Sequence, residues 1–226
     1  MNQLPVVTKN LIAINVLLFF AAIVADKYSI DLNGLLGLHI FLAEDFHPYQ
    51  VVTYMFMHGG FTHLFFNMFA LYMFGGLLER VWGAKRFLIF YFVTGVGAAL
   101  IQELVQYGYY AINLSEYQFV NLNGVIVPMG DFLNSWNTVG ASGAVYGILL
   151  AFAMMFPNEK MYVIPIPFPI KAKYFVMIFC ALELLLGLSN NAGDNVAHFA
   201  HLGGMLFGLI VVLLWRKNGK ISGPYV

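Results

Sequence analysis

The twenty residues from Val196 to Trp215, VAHFAHLGGMLFGLIVVLLW, decide how the chain is to be read. A run of about 20 mostly apolar residues is what an α-helix needs to cross the hydrocarbon of a bilayer. This run also carries His198, His201, Gly204 and Gly208, which lipid alone gives no reason to keep. The composition around it agrees. The 226 residues are 61% hydrophobic and 10% charged, with mean hydropathy +0.78, against roughly half apolar and a quarter charged in a soluble domain. A water-soluble fold is excluded. The 11 Lys and Arg balance 11 Asp and Glu, so there is no basic surplus to neutralise phosphates, and nucleic acid is not an expected partner. With Cys180 alone, neither an intrachain disulfide nor a cysteine metal cluster can form.

Working outward, six apolar runs stand between charges, Pro, Asn or Gly: approximately Asn10 to Ala25, Gly60 to Leu78, Arg86 to Tyr107, Thr138 to Phe156, Lys171 to Leu188, and Val196 to Trp215. The first is short enough for a signal peptide, but Ile23, Val24 and Ala25 make a poor cleavage site, so it is kept as a span. The expected fold is an all-α polytopic membrane protein. It forms a single domain over 1–226, with a core of about 10–215 and outer loops of about 26–59 and 108–137. Lys9, the group Arg80, Lys85 and Arg86, the group Lys160, Lys171 and Lys173, and the tail Arg216, Lys217 and Lys220 fall on one side; only Lys27 falls on the other. The positive-inside rule then puts both termini in the cytoplasm, and spans two, four and six run from outside to inside. The first outer loop is expected to lie at the headgroups, partly helical, and the second to be polar.

A polar side chain inside a span is a functional candidate by default. Spans two, four and six hold nearly all of them: His58, His63 and Asn67; Ser142; His198 and His201. At 1.5 Å per residue, Ser142 lies roughly 6 Å and His201 roughly 8 Å along their spans from the outer end. His63 and Asn67 are four apart and share a helix face. Gly143 and Gly147, with Gly204 and Gly208, are small-residue pairs that let two backbones approach, bringing Ser142 within reach of His201. A serine hydroxyl needs a base to become a nucleophile, and a neutral imidazole suits that task. His63, Asn67 and the Ser142 amide are candidate donors to an oxyanion.

These residues resemble the rhomboid family of intramembrane serine proteases, in His58-x4-His63-x3-Asn67, Glu79-x3-Gly83, Gly140-x-Ser142-Gly143 and Ala200-His201-x2-Gly204-x3-Gly208. The resemblance spans about residue 10 to Trp215. It implies a six-helix rhomboid-like bundle. Ser142 would be the nucleophile and His201 the base, a pair with no acidic third member; His63 and Asn67 would stabilise the oxyanion; His58, Gly140, Gly143, Gly204 and Gly208 would be structural. No metal and no cofactor is implied. The expected partners are the bilayer and transmembrane protein substrates, and the expected location is a bacterial inner membrane with the site opening outward. Two departures stand out: Tyr49-Gln50 where many relatives have Trp-Arg, and a long segment from Gly108 to Asn137 where a short turn is expected.

Ser142 alone reads as a helix-packing residue, His63 and Asn67 as interhelical glue, and His58 as an interfacial side chain. His198 reads as a wetted helix end, since Ala-His-x-x-Gly selects His201. Glu103 reads as standing near a helix end, and Glu183 has no partner visible from sequence. Gly75-Gly76 and Gly95-x-Gly97 read as helix packing. A metalloprotease lacks its His-Glu-x-x-His helix, and an aspartyl protease lacks intramembrane aspartates, Asp131 and Asp194 both falling in outer loops. A transporter would need a polar path through the midplane. The rival kept is a catalytically silent rhomboid-like protein that binds membrane clients.

Overall fold

The protein is described from a computed structural model, which covers residues 3–122, 124–162, 167–189 and 197–225; Asp194 and Val196 lie outside the described residues. The helices are α1 (Val6–Asp26), α2 (Leu32–Leu36), α3 (Gln50–Thr53), α4 (Phe61–Ala70), α5 (Gly76–Trp82), α6 (Ala84–Asn113), α7 (Met129–Asn134), α8 (Ser142–Met155), α9 (Ala172–Ser189) and α10 (His198–Lys217). A π-helical segment, Leu71–Gly75, joins α4 to α5. Five helical stretches among the described residues are long and apolar enough to cross a membrane: α1, the continuous run Phe61–Trp82, α6, α9 and α10.

The sixth expected span is different. α8 has 14 residues and begins at Ser142, not at Thr138 as the apolar run implied. Thr138 instead belongs to a short strand, β4 (Asn137–Thr138), paired antiparallel with β1 (Leu38–His39). The chain then turns through Gly140, whose N–H donates to the Tyr54 carbonyl at 2.9 Å. A helix of this length is about 21 Å long, shorter than a hydrocarbon layer of about 30 Å. Most of its residues are buried, because α6 and α10 flank it. Ser142 therefore owes its depth to a short central helix and not to its distance along a full-length span.

α8 and α10 run parallel. Ser142 faces His201 at one end, and Arg216 donates to the Met154 carbonyl at 2.6 Å at the other. Glycine makes the approach possible. A Cβ on Gly204 would overlap the Gly143 carbonyl, and one on Gly208 would come within 3.2 Å of Gly147 Cα. α6 closes the third side: a Cβ on Gly147 would meet Thr94 at 2.7 Å, and one on Gly97 would enter the Phe207 ring. The expected small-residue seam is present, and Gly95 and Gly97 do serve packing.

Two buried polar residues tie the remaining segments down. The Glu79 carboxylate accepts from the Val7 and Thr8 N–H groups and from the Thr8 hydroxyl, at 2.9, 2.7 and 2.7 Å. Those amides are at the first turn of α1, where no intrahelical acceptor exists. Gln50 holds the loop between α1 and α4: its Oε1 accepts from the His39 and His47 N–H groups, and its Nε2 donates to the Leu35 and Asp45 carbonyls. A neutral amide thus anchors this loop through four hydrogen bonds to its backbone.

The second long segment is more ordered than its polar composition implied. α6 runs on to Asn113, and β2 (Phe119–Leu122) pairs with β3 (Val125–Pro128) as a hairpin. α7 then leads into β4. Glu103 lies well inside α6, buried, accepting from the Phe41 N–H at 2.7 Å, which corrects the helix-end reading. A last short pair, β5 (Lys160–Met161) with β6 (Ile170–Lys171), precedes α9.

Candidate active site

Ser142 is the first residue of α8 and half-buried. It sits where the N–H groups of the first turn lack intrahelical acceptors and the helix dipole favours negative charge. The loop before it holds Gly140 at φ +132°, a conformation only glycine adopts without strain. A Cβ there would also strike the His63 imidazole at 2.7 Å. Glycine at 140 thus lets the His63 ring lie against the backbone just ahead of Ser142.

His201 comes from the first turn of α10. Its Nε2 is 2.9 Å from Ser142 Oγ, and its ring stacks on Tyr146 of α8 with centroids 4.1 Å apart and planes 6° from parallel. Tyr146 lies four residues beyond Ser142, one turn along the same face. The stacking fixes the imidazole plane, and the hydroxyl of Tyr146 donates to Glu183 Oε1.

Glu183 is the residue that sequence reasoning missed. It is buried on α9, and its Oε2 lies 2.9 Å from His201 Nδ1 and 2.6 Å from His198 Nδ1. The reading of Glu183 as partnerless is corrected: two histidines and a tyrosine converge on its carboxylate. His198 is corrected with it, being buried at 7% exposure and hydrogen-bonded to Glu183 in place of a wetted helix end. The only signal in the sequence was an acid in an apolar run, costly unless paired; its partners lie 15, 18 and 37 residues away.

His63 and Asn67 occupy one face of α4, as their spacing required, and Asn67 Nδ2 donates to the His63 carbonyl at 3.0 Å. That bond uses one of the two amide N–H groups. His58 is enclosed by protein. It is 2% exposed, with its ring edge-on to His63 at 5.1 Å. Burial, with His63 adding to it, pushes His58 down from 6.5 to about 4. The unfolded chain therefore takes up a proton at this position near pH 6.5, whereas the folded chain does so only near 4. Between those values the unfolded form binds more protons, and stability falls as pH falls, by about 3 kcal/mol across the window. The apparent melting temperature in detergent is expected to drop through that range, and less steeply in His58→Gln; identical slopes would contradict the assignment.

Among the described residues, Glu183, His198 and His201 offer possible metal-ligand atoms within 4.8 Å of one another. Bonds of 2.0–2.1 Å around a tetrahedral zinc separate its ligand atoms by about 3.3 Å. The 2.6 and 2.9 Å separations here fit shared protons instead.

Fold and site together define a polytopic helical membrane protein with a serine and a histidine hydrogen-bonded at the recessed end of a short central helix. The chain belongs to the rhomboid family: the Rhomboid domain model matches residues 45–218. It is similar to the rhomboid protease AarA of Providencia stuartii, 30% identical over 92% of this chain and 72% of that protein. It is also similar to the rhomboid YdcA of Bacillus subtilis (strain 168), 27% identical over 93% of this chain and 88% of that one. RHOMBOID-like protein 5 of Arabidopsis thaliana is 26% identical over 82% of this chain, which spans half of that longer protein.

Proposed function

We propose that the chain is an intramembrane serine endopeptidase that cleaves transmembrane segments of membrane proteins near the outer face. The observation that carries this reading is the 2.9 Å contact between His201 Nε2 and Ser142 Oγ, within the reach a general base requires. His201 takes the proton of the Ser142 hydroxyl as Oγ bonds to the scissile carbonyl carbon. The oxyanion draws on the Ser142 N–H, His63 and Asn67. The C–N bond then breaks, the proton passing from His201 to the leaving amine, and water hydrolyses the acyl-enzyme.

A transmembrane helix hides its carbonyls in its own hydrogen bonds, so the substrate is a single-span protein whose cleavage segment unwinds cheaply at small or helix-breaking residues. In this reading α8 counts as a sixth, shortened span, both termini are cytoplasmic, and the site opens to the outer side of a bacterial inner membrane. The basic residues flanking the spans support that orientation.

The test is incubation of the detergent-solubilised full chain with a single-span reporter protein. Cleavage is expected with the wild type, unchanged by EDTA, and absent in Ser142→Ala. A folded wild type that leaves the reporter intact would favour a silent client-binding protein, and inhibition by EDTA would favour a metalloprotease.

A further inference from the structure

We infer that Glu183 is a positioning residue that sets the tautomer of His201, making the site a serine–histidine–glutamate relay and not an isolated pair. The inference rests on the proposed roles of Ser142 and His201. A carboxylate has no hydrogen to give, so at 2.9 Å the proton of that contact belongs to His201 Nδ1. The Nε2 lone pair is then the atom facing Ser142 Oγ, the state a general base requires. When Nε2 receives the serine proton, the imidazolium forms beside a negative charge already held in position.

The rest of the cluster serves the same end. Tyr146 donates to Oε1, and His198 shares Oε2 with His201. Three donors from two helices therefore fix the carboxylate in a buried site, where an unpaired charge would be costly. Tyr146 also stacks on His201, so one side chain orients both the imidazole and the acid behind it.

The position of Glu183 on α9 is informative. The buried residues of this helix are Ala172, Val176 and Glu183, while Met177, Ile178, Leu182, Leu184 and Leu185 are exposed. Ala172 and Val176 lie toward its first turns. Near the site, Glu183 is the buried side chain through which α9 bonds to α8 and α10, so part of that helix's docking and the state of His201 depend on the same hydrogen bonds.

The experiment measures the rate of fluorophosphonate labelling of the full chain in detergent against pH, for the wild type, Glu183→Gln, Glu183→Asp and Glu79→Gln. Glutamine keeps the shape but can offer N–H to Nδ1, which turns the Nε2 proton toward Ser142. Exchange of a serine protease's acid for its amide with intact geometry costs about 10⁴ in rate. The expected loss for Glu183→Gln is about 10² to 10⁴, with the acid limb of the profile moved to lower pH because imidazolium has lost its counter-charge. Glu79→Gln removes a buried carboxylate that holds α1, so it is expected to lower the melting temperature and leave the limb in place. Glu183→Gln labelled within about threefold of wild type with an unmoved limb would overturn the inference. Should Glu183→Gln not fold, Glu183→Asp decides: the acid withdrawn by one methylene is expected to label about tenfold more slowly, and wild-type labelling would overturn the inference. A wild type that does not label at Ser142 at all would instead overturn the proposed function.

Discussion

A fluorophosphonate is expected to phosphonylate the wild-type protein at Ser142 and nowhere else, and His201→Ala to slow that reaction by about 10³ to 10⁵. The probe reports the nucleophile without requiring a substrate helix to enter and unwind. At neutral pH a serine hydroxyl holds its proton, and only a base within hydrogen-bond reach makes it attack phosphorus at a useful rate. In the proposed mechanism that base is His201 Nε2, which lies 2.9 Å from Ser142 Oγ. Removal of one member of such a unit costs nearly as much as removal of all, and what remains comes from the oxyanion donors. Ser142→Ala is expected to give no adduct. Intact-mass measurement with peptide mapping checks both. An adduct at another residue, or His201→Ala labelled within tenfold of wild type with an unchanged melting temperature, would remove the basis for the dyad.

The second large effect is structural. Gly204→Ala is expected to destabilise the protein severely and to abolish labelling of Ser142, although residue 204 touches neither reacting group. The added Cβ would overlap the Gly143 carbonyl oxygen, and lie 2.7 Å from Gly143 C and 3.2 Å from Gly143 Cα. All three are backbone atoms, so no side-chain rotation relieves the contact and the helices must part. Overpacking of a tight core typically costs 1–3 kcal/mol, and a rigid backbone neighbour puts this site at or above the upper end. The same displacement stretches the Ser142–His201 contact, which has little tolerance, because hydrogen bonds weaken beyond about 3.2 Å. Gly108→Ala is the contrasting variant: it lies in α6 with nothing within 4 Å of the added atom, and it is expected to be neutral or to gain about 0.5–1 kcal/mol from helix propensity. Melting in detergent beside labelling rate tests the pair. Gly204→Ala melting and labelling like Gly108→Ala would mean that the seam between α8 and α10 is looser than described.

Both predictions join a feature visible in the sequence to one that is not. The apolar runs, the shared face of His63 and Asn67, and the spacing of Gly143, Gly147, Gly204 and Gly208 are local and periodic. The structure contains the shared face and the glycine seam in that form, and five of the six runs as helices long enough to span. Misreadings fell where a partner comes from far along the chain. Thr138 reads as the start of an apolar span but pairs with Leu38, which moves the start of α8 to Ser142. His198 reads as a wetted helix end, yet it is covered by other segments. Glu79 matched a family motif with no reason visible until the first turn of α1 came to rest on its carboxylate.

The sequence by itself determined that this chain lives in a bilayer, where its long apolar helices run, and which polar side chains hydrocarbon would not tolerate without a use. These follow from solvation and from the 3.6-residue period, which act within one segment. Only the tertiary structure decided how deep Ser142 lies and what stands behind His201. Depth depends on a short helix enclosed by longer ones, and the environment of His201 depends on a carboxylate carried by another helix. Contacts between separate helices are set by which backbones approach closely, and that distance is not written in the order of residues along any one of them.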